Sequence, residues 1–163
     1  FVLGKDEIAG SKYIGNQMLT DGTQFDFIGI YAGGAKKPVT KEVLDENKNG
    51  LLSLKPLPGD RNVRLWPMVV KKLLKEYETH TDEIDHYIFT QINKSVIMKV
   101  MEELKQPVEK AMFVMDKYGY TGSACVPMAF HEGVESGKIK RGNKVLFMAS
   151  GAGLSVGSNL LVY

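Results

Sequence analysis

The sequence predicts an α/β fold, a mixed β-sheet with helices packed on its faces. Three observations carry that prediction. From residue 63 onward, stretches of helical period alternate with short apolar runs of strand length. The runs at 85–89 and 144–149 are of strand length, and 85–89 reads as a short buried strand. The last two strand candidates are separated only by a small Gly-rich turn, so they read as a hairpin and the sheet is not purely parallel.

In chain order, residues 1–9 and 13–19 carry apolar residues at short spacing, and Asp21-Gly22 is a turn signal just past the second of these. Residues 25–31 form another extended candidate, closed by Ala32-Gly33-Gly34. Residues 36–61 are charged and contain Pro38, Pro56 and Pro58, which predicts a long excursion with a short helix at 41–46. At 63–77, Val63, Trp66, Val69, Val70, Leu73, Leu74 and Tyr77 recur at helical spacing while Lys71, Lys72, Lys75 and Glu76 fall on the other side. Pro67 lies near the start of that helix, where proline is tolerated. A buried strand is predicted at 85–89 and a helix at 93–104, striped by Val96, Ile97, Val100, Met101 and Leu104. A strand at 108–114, a helix at 121–136 ending at Gly137, and strands at 144–149 and 154–163 complete the chain.

The chain has 163 residues, 44% of them apolar and 25% charged, which fits one domain with a real core. A formal net charge of +2 gives no footprint for nucleic acid or an anionic membrane surface. No apolar run approaches the roughly 20 residues that cross a bilayer. A single cysteine excludes an internal disulfide framework and agrees with a reducing, cytoplasmic compartment. Phe1-Val2-Leu3-Gly4 begins inside a predicted strand, without an initiator methionine or the features of a signal peptide, so a chain cut from something longer is expected.

Several motifs fail on inspection. Asp45-Glu46-Asn47-Lys48-Asn49-Gly50 opens like a calcium loop, but Pro56 stands where the bidentate glutamate is needed, so a polar surface turn is expected. Gly151-Ala152-Gly153-Leu154-Ser155-Val156-Gly157 resembles a dinucleotide fingerprint only loosely, because no helix comes after it to receive a pyrophosphate. His80, His86 and His131 show no metal-ligand spacing, and neither a metal nor a cofactor is expected. Cys125 sits among Ala124, Val126, Pro127 and Met128 about a turn inside the predicted helix, the setting of a packing residue rather than of a reactive thiolate.

Residues 85–163 resemble the C-terminal half of 3-oxoacyl-(acyl-carrier-protein) synthase III, a condensing enzyme of the thiolase-like fold. The resemblance rests on the order and spacing of several blocks. These are Phe89-Thr90-Gln91-Ile92-Asn93, Asp116-Lys117-Tyr118-Gly119-Tyr120-Thr121-Gly122-Ser123-Ala124, Val126-Pro127, Gly137-Lys138-Ile139-Lys140-Arg141-Gly142 and Ser150-Gly151-Ala152-Gly153. The turns at Asp21-Gly22 and Gly33-Gly34 extend it over nearly the whole chain. The resemblance implies one half of a thiolase-like fold, with residues 1–163 as a single C-terminal domain. It also implies that the nucleophilic cysteine belongs to an N-terminal half absent from this chain. In the family, the C-terminal half supplies a histidine from an HQAN-like motif and an asparagine from a GNTS-like motif for decarboxylation and enolate stabilisation. Here Thr90 stands at the histidine position and Tyr120 at the asparagine position, so no catalytic residue is assigned. Gln91, Asn93, Gly119, Thr121, Gly151, Ala152 and Gly153 match the family's substrate-binding segments.

These replacements bear on chemistry. A threonine hydroxyl lacks the proton that imidazole exchanges near neutral pH. Tyrosine can donate one hydrogen bond but fills more space than asparagine. Loss of one oxyanion donor typically costs about 2.7–4 kcal/mol of transition-state stabilisation, so ordinary decarboxylative condensation should be abolished. The leading expectation is an acyltransferase in fatty-acid or related acyl-chain biosynthesis, acting on acyl-CoA or acyl carrier protein, inactive as the isolated chain. It would work with the missing N-terminal half or a homologous subunit, as a homo- or heterodimer. The alternatives are a catalytically degenerate half serving as partner subunit or scaffold, and, more weakly, thiol chemistry at Cys125. A chain missing half its fold should expose an apolar face and self-associate.

Overall fold

The computed structural model describes residues 10–163, so the strand expected at 1–9 lies outside the described residues. The chain divides into two compact units. The first holds the described residues through Leu19 together with Asp60–Ser150 and Val156–Tyr163, and the second holds Thr20–Gly59 and Gly151–Ser155.

The first unit is built on a four-stranded sheet in the order β1-β6-β5-β4, formed by β1 (Lys12–Thr20), β4 (His86–Phe89), β5 (Lys144–Gly151) and β6 (Ser155–Val162). β4 pairs with β5 in parallel, with His86 opposite Val145 and Phe89 opposite Met148. The three residues between β5 and β6 allow those neighbours to run only antiparallel. The sheet is therefore mixed, as the terminal hairpin predicts.

Strand alternation sorts the side chains of β4 between two helical layers. Tyr87 and Phe89 point to one face, where the Trp66 ring of α2 (Arg61–Glu76) stacks on Phe89 at 5.2 Å. α2 also packs against α3 (Lys94–Glu103). Ile88 points to the other face and joins Met112, Val114, Ala129, Phe130, Ile139 and Val145 in a core cluster. Ala129 and Phe130 come from α5 (Cys125–Glu135), which covers that side. Gly133 of α5 must be small, because a Cβ there would collide with the Ile139 side chain.

Several elements differ from expectation. α2 begins two residues earlier than its apolar stripe, so Pro67 is an interior residue, not one near the start. It forgoes the hydrogen bond to the Val63 carbonyl and is buried instead. The stretch 108–114 opens as a 3-10 turn, Val108–Lys110, and only a single bridge, Tyr87 to Ala111, joins it to β4. At 121–136, Gly122 adopts φ +60° and a 3-10 turn over Gly122–Ala124 precedes α5. Cys125 is consequently the first α-helical residue rather than one a turn inside.

In the second unit, the extended candidate at 25–31 contracts to β2 (Ile28–Gly29), antiparallel to β3 (Leu52–Ser53). Asp21 caps a 3-10 turn by accepting from the Thr23 N–H at 2.9 Å. The short helix expected at 41–46 is α1 (Lys41–Asp45), capped by Thr40. In the segment that opens like a calcium loop, Asp45 pairs with Lys41 at 2.6 Å and Glu46 with Lys48 at 2.7 Å. Among the described residues no helix is long and apolar enough to cross a membrane.

Candidate active site

The segment Thr90–Asn93 links the end of β4 to α3, and its side chains have three different fates. Thr90 is buried; its N–H donates to the Met148 carbonyl at 3.0 Å and its Oγ1 accepts from the Ser150 N–H at 3.2 Å. Gln91 is only 1% exposed, and its amide is internally committed. Nε2 donates to the Phe89 and Met112 carbonyls, each at 2.9 Å, and Oε1 accepts from the Val114 N–H at 2.9 Å. The Met112 N–H bonds the Tyr87 carbonyl directly at 3.0 Å, and beyond that backbone bond the Gln91 side chain holds 112–114 beside β4. Asn93 is exposed and caps α3, with Oδ1 accepting from the Ser95 and Val96 N–H groups at 3.0 and 3.3 Å. Its Nδ2 has no partner among the described residues.

The second motif comes after the short helix α4 (Met115–Tyr118). Gly119 takes φ +67° and ψ −156°, a conformation that a Cβ disfavours, and turns the chain sharply before Tyr120. Tyr120 is 52% exposed, and its hydroxyl has no partner among the described residues. Thr121 Oγ1 donates to Met128 Sδ at 3.4 Å. The turn is anchored through Glu132 of α5, whose carboxylate accepts from the Tyr118 hydroxyl at 2.5 Å and from Lys117 Nζ at 3.0 and 3.1 Å. The Tyr118 hydrogen bond, then the Lys117 ammonium, hold Glu132 below the usual carboxylate range, and the Tyr118 hydroxyl, then the Glu132 carboxylate, hold Lys117 above its own.

Gln91 joins these segments. Its side chain reaches Val114, the residue that precedes α4, and its N–H donates to Cys125 Sγ at 3.4 Å at the start of α5. Cys125 itself is 2% exposed. Thr90, Gln91 and Cys125 therefore meet at the end of β4. Gly151, Ala152 and Gly153 belong to the second unit, where Gly153 has φ +121° and its neighbour Leu154 exchanges backbone hydrogen bonds with Asp21 at 2.6 and 2.8 Å.

Two supports of this region are not legible in the sequence. Ser150 Oγ accepts from Trp66 Nε1 at 2.6 Å and donates to Asn62 Oδ1 at 3.1 Å, tying the end of β5 to the first turns of α2 across more than 80 residues. Glu132 reads from its spacing only as a polar position on an amphipathic helix.

This arrangement matches known proteins along its length. Residues 74–163 match the family model for the 3-oxoacyl-[acyl-carrier-protein] synthase III C terminal. The chain belongs to that family. A β-ketoacyl-[acyl-carrier-protein] synthase III from Aliarcobacter butzleri is 37% identical over 148 residues, 88% of this chain and 43% of the relative. Its counterpart from Syntrophomonas wolfei is 30% identical over 98% of this chain and 48% of the relative. The crystal structure of 3-oxoacyl-[acyl-carrier-protein] synthase III from Aquifex aeolicus superimposes with a TM-score of 0.74 at 27% identity, covering 97% of this chain and 46% of that one. The Thermus thermophilus enzyme, at 24% identity and a TM-score of 0.78, shows the same fold. The chain thus spans just under half the length of these synthase III relatives, and it is a synthase III C-terminal domain of the thiolase-like class.

Proposed function

We propose that this synthase III C-terminal domain serves an acyltransferase that moves an acyl group from a CoA or carrier-protein thioester without the decarboxylation step. The observation that carries the reading is the state of Thr90. At the family's histidine position stands a buried hydroxyl that accepts a backbone N–H, with no imidazole to take up or release a proton. The scaffold around it is intact: Gln91 braces β4, Asn93 caps α3 with a free amide, and Gly119 makes its turn. Asn93 Nδ2 and the hydroxyls of Tyr120 and Thr121 are the groups we assign to thioester binding. Gln91 acts by holding their supports in place.

The nucleophile in this reading is a cysteine of an N-terminal half, supplied in the same protein or by a homologous subunit. Cys125, the single cysteine of the chain, is buried and occupied by the Gln91 N–H, which argues against it. The isolated chain is then inactive. Incubating the intact protein with acyl-CoA should add one acyl mass to a cysteine outside residues 1–163, mapped by peptide mass spectrometry. Acylation of Cys125, or none at all, would contradict the assignment. A non-catalytic scaffold role shares the loss of both family groups; it is distinguished by co-purification with an active synthase III and by that enzyme's loss of activity when this protein is deleted.

A further inference from the structure

We propose that the N-terminal end of α2 is an oxyanion-binding site, built on the Arg61 guanidinium and taking a carboxylate or phosphate group. This goes beyond the acyl-transfer reading and does not depend on it. α2 is a 16-residue helix whose N-cap residue, Asp60, makes no side-chain cap bond, and no acidic residue lies in its first turn. The Arg64 N–H bonds the Asp60 carbonyl at 3.0 Å, while the N–H groups of residues 61–63 have no acceptor among the described residues. Such an end carries about half a unit of positive charge and three donors without a partner.

The independent observation is Arg61 itself. It is the first residue of α2, only 9% exposed, and its buried Nη1 has no hydrogen-bond partner. No carboxylate pairs with it among the described residues. Helical side chains lean toward the N-terminus, so a guanidinium on the first residue is carried to the end where the free N–H groups lie. A buried cation beside the positive end of a helix is unfavourable on both counts until an anion arrives. The direction of its titration agrees: burial lowers the Arg61 pKa, with no partner raising it. The planar fork of arginine matches a carboxylate or a phosphate through paired hydrogen bonds. Asn62 completes the end of the helix. Its Oδ1 is taken by Ser150 Oγ, which fixes the amide, and Ser150 in turn donates its N–H to Thr90. The oxyanion site and the family's histidine position are therefore joined by one hydrogen-bonded residue.

The test is calorimetric titration of inorganic phosphate and, separately, acetate into the purified full chain at constant ionic strength, with Arg61→Met and Arg61→Lys alongside. Saturable binding of at least one anion is expected, weakened about tenfold or more in Arg61→Met, the loss of a charge-assisted bond. Phosphate alone, acetate alone, or both would name the group. Without anion, Arg61→Met should melt at or above the wild-type temperature, because it removes an unpaired buried charge. If Arg61→Met does not fold, Arg61→Lys decides: it keeps the charge but loses the fork, and weaker binding than wild type supports the site. The proposal is overturned if neither anion binds, if both variants bind as wild type does, or if Arg61→Met lowers the melting temperature equally with and without anion.

Discussion

The two motif segments of this domain are held in opposite ways. At the end of β4, Thr90 and Gln91 are buried and their polar atoms bond inward, to Ser150, Phe89, Met112 and Val114. At the turn after α4, Tyr120 projects outward from a backbone shaped by Gly119 and anchored from α5 by Glu132. The first segment is built into the structure, and the Tyr120 side chain of the second contributes little to it. A family can therefore exchange the residue at the Tyr120 position at small cost to folding. A change at Gln91 disturbs the sheet.

Replacing Gln91 with leucine should separate the two most sharply. It leaves the Val114 N–H and two carbonyls without their partner in a buried setting, a loss of about 3 kcal/mol or more. At roughly 2–4 °C per kcal/mol for a chain of this size, the fall in Tm is readily measured by calorimetry. A smaller effect is expected at the opposite end of the same strand. His86 has a buried Nδ1 without a partner, and burial, then the Lys138 charge, lowers its pKa from the ordinary value of 6.5. Below pH 6.5 the unfolded chain binds a proton that the folded chain refuses. This contribution to stability is therefore fully present above pH 6.5 and is lost as pH falls from there through the lower folded pKa. His86→Phe should flatten that part of the stability–pH curve, measured by denaturant midpoints across the range. An unchanged curve would show that His86 titrates alike in both states. The smallest effect belongs to Tyr120→Ala, within about 0.5 kcal/mol of wild type in denaturant melts. A large loss there would erase the contrast between the segments.

Most of the scaffold is legible in the sequence because it comes from period and burial. The stripes of α2 and α3, the apolar run of β4 and the terminal hairpin each appear where the spacing of apolar residues puts them. The stretch 108–114 is not legible, because beyond the single bridge at Ala111 and the Met112 N–H to the Tyr87 carbonyl it is held by the side chain of Gln91, and no local pattern announces that. The extended candidate at 25–31 keeps only Ile28–Gly29, since its partner, Leu52–Ser53, offers two residues. Thr90 and Tyr120 stand out through the order of the motif blocks. Arg61 does not, because its burial depends on tertiary surroundings that helical spacing does not reveal.

The proposal is that a synthase III scaffold here works without the family's groups for decarboxylation. The most direct measurement is release of labelled CO2 from a malonyl thioester by the intact protein, run beside a family member that keeps the histidine and asparagine. Acyl transfer with no CO2 above background is expected of the wild type. Release at a rate within about tenfold of that family member would contradict the proposal, in which Thr90 offers no imidazole proton and Tyr120 no asparagine amide.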